Sequence, residues 1–341
     1  LPDNFVRTVL QHSDGSIWIG TAQGLARYIN GKLQTENQLL PDQSVLSLAE
    51  TATGALLIGT YSSGVFQYSD GVVTKLVDRD SGLLSNEVRA LLPLKDGSVW
   101  IGTAQGLNYY QPDQPIQSYT TREGLTADFV VALHRIDDVL WVGTGTGVTR
   151  LIKGSFEPLL LSHLDQTEYA FDFFEQAEQK LLWLATDRGL VRYRLDTAEL
   201  SLIGRKAGIP FDKIFQVQAD LEGNLWLSSN RGILRIRQQD ANAVAEGKAA
   251  GIAYELYGES DGMLSAQANG GSNPAAIMAQ DGSLWFATAS GVSRVQPKRL
   301  AAFAEVTPPI VLEALLVNGV AQKIDDSIEL PPDSDRVELH F

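Results

Sequence analysis

The sequence predicts an all-β fold, a seven-bladed β-propeller followed by the truncated start of a β-sandwich. Three observations carry this. "GSIWIGTAQGLARY" at 15–28 returns almost unchanged as "GSVWIGTAQGLNYY" at 97–110. Aligned on its large apolar residue, the phrase occurs seven times, at Trp18, Leu57, Trp100, Trp141, Trp183, Trp226 and Trp285. The intervals are 39, 43, 41, 42, 43 and 59 residues, and a period of roughly 40–45 residues marks a propeller or a helical-repeat array.

Each element of the repeat has its own reason. In "SIWIGT", Ile17 and Ile19 share one face and Trp18 takes the other, so the strand is apolar on both sides, as a strand lying between two layers must be. All six tryptophans fall on this register, which assigns them to the core between blades rather than to carbohydrate stacking. Asp-Gly pairs such as Asp14-Gly15, Asp96-Gly97 and Asp281-Gly282 precede it as hairpin turns. "GTAQGL", "GTGTGV", "ATDRGL" and their siblings follow it, their last Gly closing a second hairpin into strands such as "LARYI" and "LVRYR". Upstream strands such as "FVRTVLQ" and "EVRALLP" complete the unit. A helical repeat would space its apolar residues by three and four and carry few glycines; this chain has 31.

The rhythm breaks twice. The 59-residue interval holds "DANAVAEGKAA", read as a short outer helix between Asp240 and Ala250. After the last repeat, the chain runs through Pro308-Pro309 into alternating stretches around Asn318-Gly319, a hairpin signal. The expected division is a propeller over 1–300, then a linker and first sandwich strands over 301–341. The chain opens inside an innermost strand and stops on "VELHF", so it reads as a piece of a longer protein. Seven four-stranded blades are expected, the last completed either by residues near Ala301–Val306 or by a segment preceding Leu1.

Composition narrows the partners. A net charge of −14 argues against nucleic acid or an anionic membrane surface as the main partner. No apolar run approaches the roughly 18 residues of a membrane helix. With no Cys, neither disulfides nor thiolate chemistry are available, and cytoplasm and periplasm both stay open.

At this point the residues carry a family resemblance. "LPDNFVRTVLQHSDGSIWIGTAQGLARY" and "GLLSNEVRALLPLKDGSVWIGTAQGLNYY" resemble the two-component regulator propeller repeat, and the tail from "PPIVLEALLVNG" resembles the first half of the triple-tyrosine domain that follows such propellers. The resemblance implies a periplasmic sensor ectodomain, joined by a membrane helix to a histidine kinase, a hybrid kinase or a diguanylate cyclase. It implies a small-molecule or oligosaccharide ligand, self-association of the whole receptor, no cofactor, and membrane contact only through segments outside this sequence.

Binding loops on a rigid scaffold are the usual arrangement, so the candidate site is the face shared by the Gly-closed hairpins and the loops leading into each innermost strand. The hairpins supply Tyr61, Gln105, Asp187, Arg188, Asn230 and Arg231; the loops supply Phe129, Tyr169, Phe211 and Asn269. Arg188 and Arg231 share a hairpin position on adjacent blades. They either form a paired guanidinium fork for a carboxylate, a sulfate or a sugar ring, or each pairs with a carboxylate such as Asp187. Phe129, Tyr169 and Phe211 are either stacking platforms or plugs between blades. "ANGGSNP" at 268–274 is either a tight loop or a close backbone approach to a ligand.

Enzyme readings have little to stand on. The four His (His12, His134, His163 and His340) show no metal-ligand spacing, and no nucleophile-elbow pattern is present. Asp128 with Asp187 offers only a pair of carboxylates among 41 acidic residues. A sensing module without chemistry of its own is the expectation, with a protein-docking scaffold or a polysaccharide-active propeller as alternatives.

Overall fold

The computed structural model describes residues 1–304, 314–322, 330, 332 and 334–340. The chain forms two compact units, Leu1–Pro297 and Lys298–Phe341.

The first unit is a ring of seven antiparallel sheets, each blade following the last in chain order. Blade one shows the pattern: Val6–Gln11 innermost, then Ile17–Thr21, Gly24–Ile29 and Lys32–Leu39 at the rim. The later innermost strands are Val45–Glu50, Val88–Pro93, Val130–Ile136, Ala170–Gln176, Gln216–Ala219 and Ala276–Met278. Each of them adjoins the next, and that of blade seven adjoins that of blade one. Six blades have four strands. Blade seven has three among the described residues, Ala276–Met278, Leu284–Thr288 and Gly291–Val295. The expected fourth strand near Ala301–Val306 is corrected in part: Pro297–Ala304 is a helix, and 305–306 lie outside the described residues.

The repeat phrase explains the ring. Trp18, Trp141, Trp183, Trp226 and Trp285 are buried, as is Leu57, while Trp100 is half-buried. Across the hairpin, an Arg stands opposite the Trp in five blades, and in four of them it lies over the ring, Arg27 on Trp18 at 5.2 Å, Arg150 on Trp141 at 5.7 Å, Arg235 on Trp226 at 5.8 Å and Arg294 on Trp285 at 5.1 Å. Such contacts contribute ~0.5–1 kcal/mol each at partly exposed sites.

The Gly of "IGT" is where the next blade seats. A Cβ on Gly102 would lie 2.7 Å from Val130 Cγ1, and one on Gly143 would lie 2.5 Å from the Ala170 carbonyl oxygen. The Thr that follows is a latch: Thr21 Oγ1 donates to the Gly24 carbonyl at 2.8 Å and accepts the Gln23 N–H at 3.2 Å. Blades three, four, five and seven repeat both bonds. In blade six Ser229 does the same work without the methyl group.

The outer helix begins earlier than expected, spanning Gln238–Ala245. Asp240 lies in its first turn and is not its cap; the Gln238 N–H is satisfied by the Gly223 carbonyl at 3.0 Å, which lets the helix start there. The second unit carries a three-stranded sheet in the order Val320–Gln322, Ala314–Val317, Val337–His340. Asn318 (φ 52°) and Gly319 (φ 77°) form its hairpin, both left-handed as a two-residue turn of this kind requires. Pro308-Pro309 lie outside the described residues.

Candidate functional site

The mouth of the central channel is built by a register slip. In the innermost strand of blade one, Val6 pairs with Thr21 and Thr8 with Gly20, leaving Arg7 over as a bulge residue. The same slip leaves over Leu46, Arg89, Val131 and Phe171 in blades two to five. In blade six Phe215 precedes Gln216, the residue paired with Ser228, and takes the equivalent place. An extra residue escapes the alternation of the strand and redirects its side chain, here toward the axis.

Blade seven has six residues where the others have one. Ala268 pairs with Thr288, and the Ala275 carbonyl accepts the Ala287 N–H at 2.9 Å. Between them, 269–274 crosses the channel. The Asn269 amide donates to the Val6 carbonyl of blade one. Gly270 sits on the Phe215 ring of blade six, where a Cβ would come within 2.3 Å of Cδ1. The Gly271 carbonyl accepts Arg89 Nη1 of blade three at 2.6 Å. The Asn273 carbonyl accepts the Leu48 N–H of blade two at 3.3 Å, and its Nδ2 donates to Asp172 Oδ1 of blade five at 3.2 Å. The Pro274 carbonyl takes Thr8 Oγ1 at 2.6 Å and the Val9 N–H at 3.0 Å. A segment bonded to blades on opposite sides of the ring spans its axis.

Asp172 lies under this segment, only 7% exposed. Burial pushes its carboxyl up to about 7, against the opposing effect of the hydrogen bonds from the Val217 N–H and Asn273.

The sequence-predicted residues fall into two arcs. On blades five and six, Asp187 Oδ1 accepts the N–H groups of Glu168 and Tyr169 at 2.9 and 3.0 Å, fixing the loop that leads into the innermost strand. Arg188 lies beside it, Nε to Asp187 Oδ2 at 3.9 Å. Arg231 and Asn230 are exposed at the neighbouring hairpin, and Arg231 makes no ion pair with a described residue. Tyr169 stacks on Phe171 (5.2 Å, 16°), and Phe171 meets Phe215 edge-on (5.4 Å, 87°), a row of rings reaching the channel segment. Phe211 is not part of that row. At 4% exposure it is a plug, packed with Ile209, Ile214 and Trp183 between blades five and six. Asn269, 9% exposed and bonded at both ends to the scaffold, is likewise structural.

The second arc spans blades one to four. Tyr61 and Gln105 are exposed at their hairpins. Phe129 lies under the Arg89 guanidinium at 4.8 Å, and Phe5 under that of Arg7 at 4.9 Å. Glu87 pairs with Arg89, Nε to Oε1 at 2.7 Å. Sequence reasoning missed Arg7, Arg89, Phe171, Phe215 and Asp172. The signal was present: "FVRTV" and "EVRAL" place Arg at one repeat position where other blades have Leu, Val or Phe.

A groove of about 850 Å³ lies elsewhere, lined among others by Glu222, Gly223, Arg192 and the outer helix. Arg192 is buried there, with Nη1 donating to Asn242 at 3.0 Å and Glu246 at 3.2 Å. It occupies the Trp-facing Arg position of its blade, so this groove records how the helix packs on the rim.

The geometry has counterparts. The two component regulator propeller family model matches residues 1–23 and 82–105. A histidine kinase P4 of Formosa agariphila is 23% identical over 219 residues, 58% of this chain and 16% of that protein. The extracellular domain assigned to the hybrid two component system BT3049 of B. thetaiotaomicron superposes with a TM-score of 0.79 at 22% identity, over 96% of this chain and 44% of that one. Virginiamycin B lyase from Staphylococcus aureus shares the architecture with a TM-score of 0.61 at 14% identity, over 85% of this chain and 93% of that one. At such identities the structural likeness shows the fold alone, and the chain spans less than half the length of the first two relatives. The two component regulator propeller repeat is thus matched in blades one and three, and the hydroxyl latch of that repeat recurs around the ring.

Proposed function

We propose that this propeller is the ligand-sensing input domain of a membrane-bound signal-transduction protein, held on the periplasmic side and coupled to a histidine kinase or diguanylate cyclase. The observation that carries the reading is the segment 269–274 across the channel. It closes the channel beneath the mouth, where Arg7, Arg89, Phe171 and Phe215 stand at equivalent places of their blades. A closed mouth of this kind suits a small molecule or an oligosaccharide. The histidine kinase relative and the ectodomain of the two component system support the signalling role. No nucleic acid and no cofactor enter the reading. The receptor works as a dimer whose subunits shift on ligand binding, because close-packed blades are a poor hinge.

Thermal melting of the protein against a panel of neutral and acidic sugars tests this. At least one should raise the melting temperature by several degrees, since ligand at about 100 times Kd adds ~2.7 kcal/mol. Tyr169→Ala or Arg231→Ala should remove part of that rise. Turnover of any sugar by the purified protein would replace this reading with an enzyme, as the shared architecture with a lyase allows. A stable protein complex needing no small molecule would replace it with a docking scaffold.

A further inference from the structure

The cations around the mouth differ in how they are satisfied: Arg231, which makes no ion pair with a described residue, is exposed to solvent, whereas Arg7 is partly buried. Arg188 lies beside Asp187 and Arg89 is held by Glu87 and the Gly271 carbonyl. Arg7 has no such partner. Its guanidinium makes no hydrogen bond or ion pair with any described residue, its Nε is buried without an acceptor, and its contact is the face of Phe5 at 4.9 Å. Burial and the nearby charge of Arg89 both disfavour its protonated form, while Tyr61, Asp3 and Glu87 lie close enough to favour it. Neither carboxylate reaches it as a partner: Asp3 Oδ1 caps the Phe5 N–H at 2.7 Å, and Glu87 is engaged with Arg89.

A partly desolvated cation beside another cation, without an acceptor, is costly. The fold does not require it, since the equivalent bulge residues of blades two, four, five and six are Leu46, Val131, Phe171 and Phe215. What the position offers is a guanidinium whose fork is free for two parallel bonds to an oxyanion. Arg89, bonded to the Gly271 carbonyl of the channel segment, lies near it, and so does the exposed side chain of Tyr61.

We propose that the mouth over blades one to three is an oxyanion subsite, in which Arg7 receives a carboxylate or sulfate group of a ring-sized ligand lying against Tyr61. This rests on the reading of the mouth as the sensing site. Because Glu87 already neutralises Arg89, the subsite takes a single negative charge, and a neutral ligand leaves Arg7 unsatisfied.

The test compares D-glucuronate, D-glucose 6-sulfate and D-glucose by isothermal titration on the wild-type protein and on Arg7→Gln, with melting of both proteins in the absence of sugar. One or both acids should bind at least tenfold more tightly than glucose, which of them binds naming the group as carboxylate or sulfate. Arg7→Gln should abolish that preference while melting at the same or a higher temperature. Three results overturn the proposal: no preference for either acid over glucose, a preference that survives in Arg7→Gln, or a sugar-free melting temperature several degrees lower in the variant, which would make Arg7 a residue that holds the fold. Where one of these comes with a neutral ligand bound at the mouth, the subsite falls and the sensing role stands.

Discussion

Asp172 couples the channel segment to proton concentration, and the sign can be worked out. An unfolded Asp titrates near pH 3.9; the folded one is pushed up to about 7 by burial. Between those values the folded state holds a proton that the unfolded chain has lost. Stability therefore falls as pH rises through this window and levels off above it. The difference between the two states corresponds to a ceiling on the order of 4 kcal/mol. Asp172→Asn keeps an oxygen for the Val217 N–H and cannot ionise, so it should flatten this decline. Urea unfolding of wild type and variant at pH 5 and pH 8 measures it: the variant should gain on the wild type at the higher pH. An equal deficit at both values would mean that the carboxyl is ionised and held by other means.

At the scale of elements, the Gly of the repeat matters more than its Thr. Thr144 contributes one latch, and its loss leaves a hairpin still closed by the strand ladder. Gly143 is where blade five seats, and its missing Cβ faces a main-chain oxygen, which cannot turn aside as a side chain does. Gly143→Ala should cost about 1–3 kcal/mol by overpacking, read as a fall in the urea midpoint with the slope retained. Gly154 has open space around it, so Gly154→Ala there carries only the left-handed φ of 83° and should cost less. This difference also shows what could be read from the chain alone. The Trp strands, the hairpins and the "GT" seats repeat, and repetition exposes them. The bulge at Arg7 and Phe171 does not: a slip of one residue reverses which side chains face the axis, and alternation in the sequence continues across it. For the same reason Phe211 stood beside Tyr169 as a loop aromatic though it fills the wedge between blades, while Phe171, which stacks on Tyr169, was not singled out.

For the molecule as a whole, closure of the ring is noncovalent. Among the described residues, no strand of blade one enters blade seven; the seam is held by hydrogen bonds such as Gly291 N–H to the Asn4 carbonyl at 2.6 Å and by a core that joins Val6, Ile17 and Ile19 to Trp285 and Ala287. The channel segment reinforces this seam through Asn269 and Pro274. A ring tied across its own axis transmits ligand binding poorly by bending and better as a change in how copies associate. Under the proposed sensing role, the full-length protein should therefore change its sedimentation in the presence of ligand. Monomers at high concentration with and without ligand would sink the dimer switch and leave the fold untouched.

The latches have a consequence for how such a ring acquires new specificities. Each hairpin stem is closed by a hydroxyl buried beneath it, so the residues at its tip, Ala22-Gln23 in blade one or Asn230-Arg231 in blade six, carry little responsibility for folding. Seven short tips can then be rewritten independently on one frame, as an alphabet is rearranged without recasting its letters. A library confined to those tips should lose few of its members to misfolding, which would make this propeller a practical starting point for selecting receptors of new ligands.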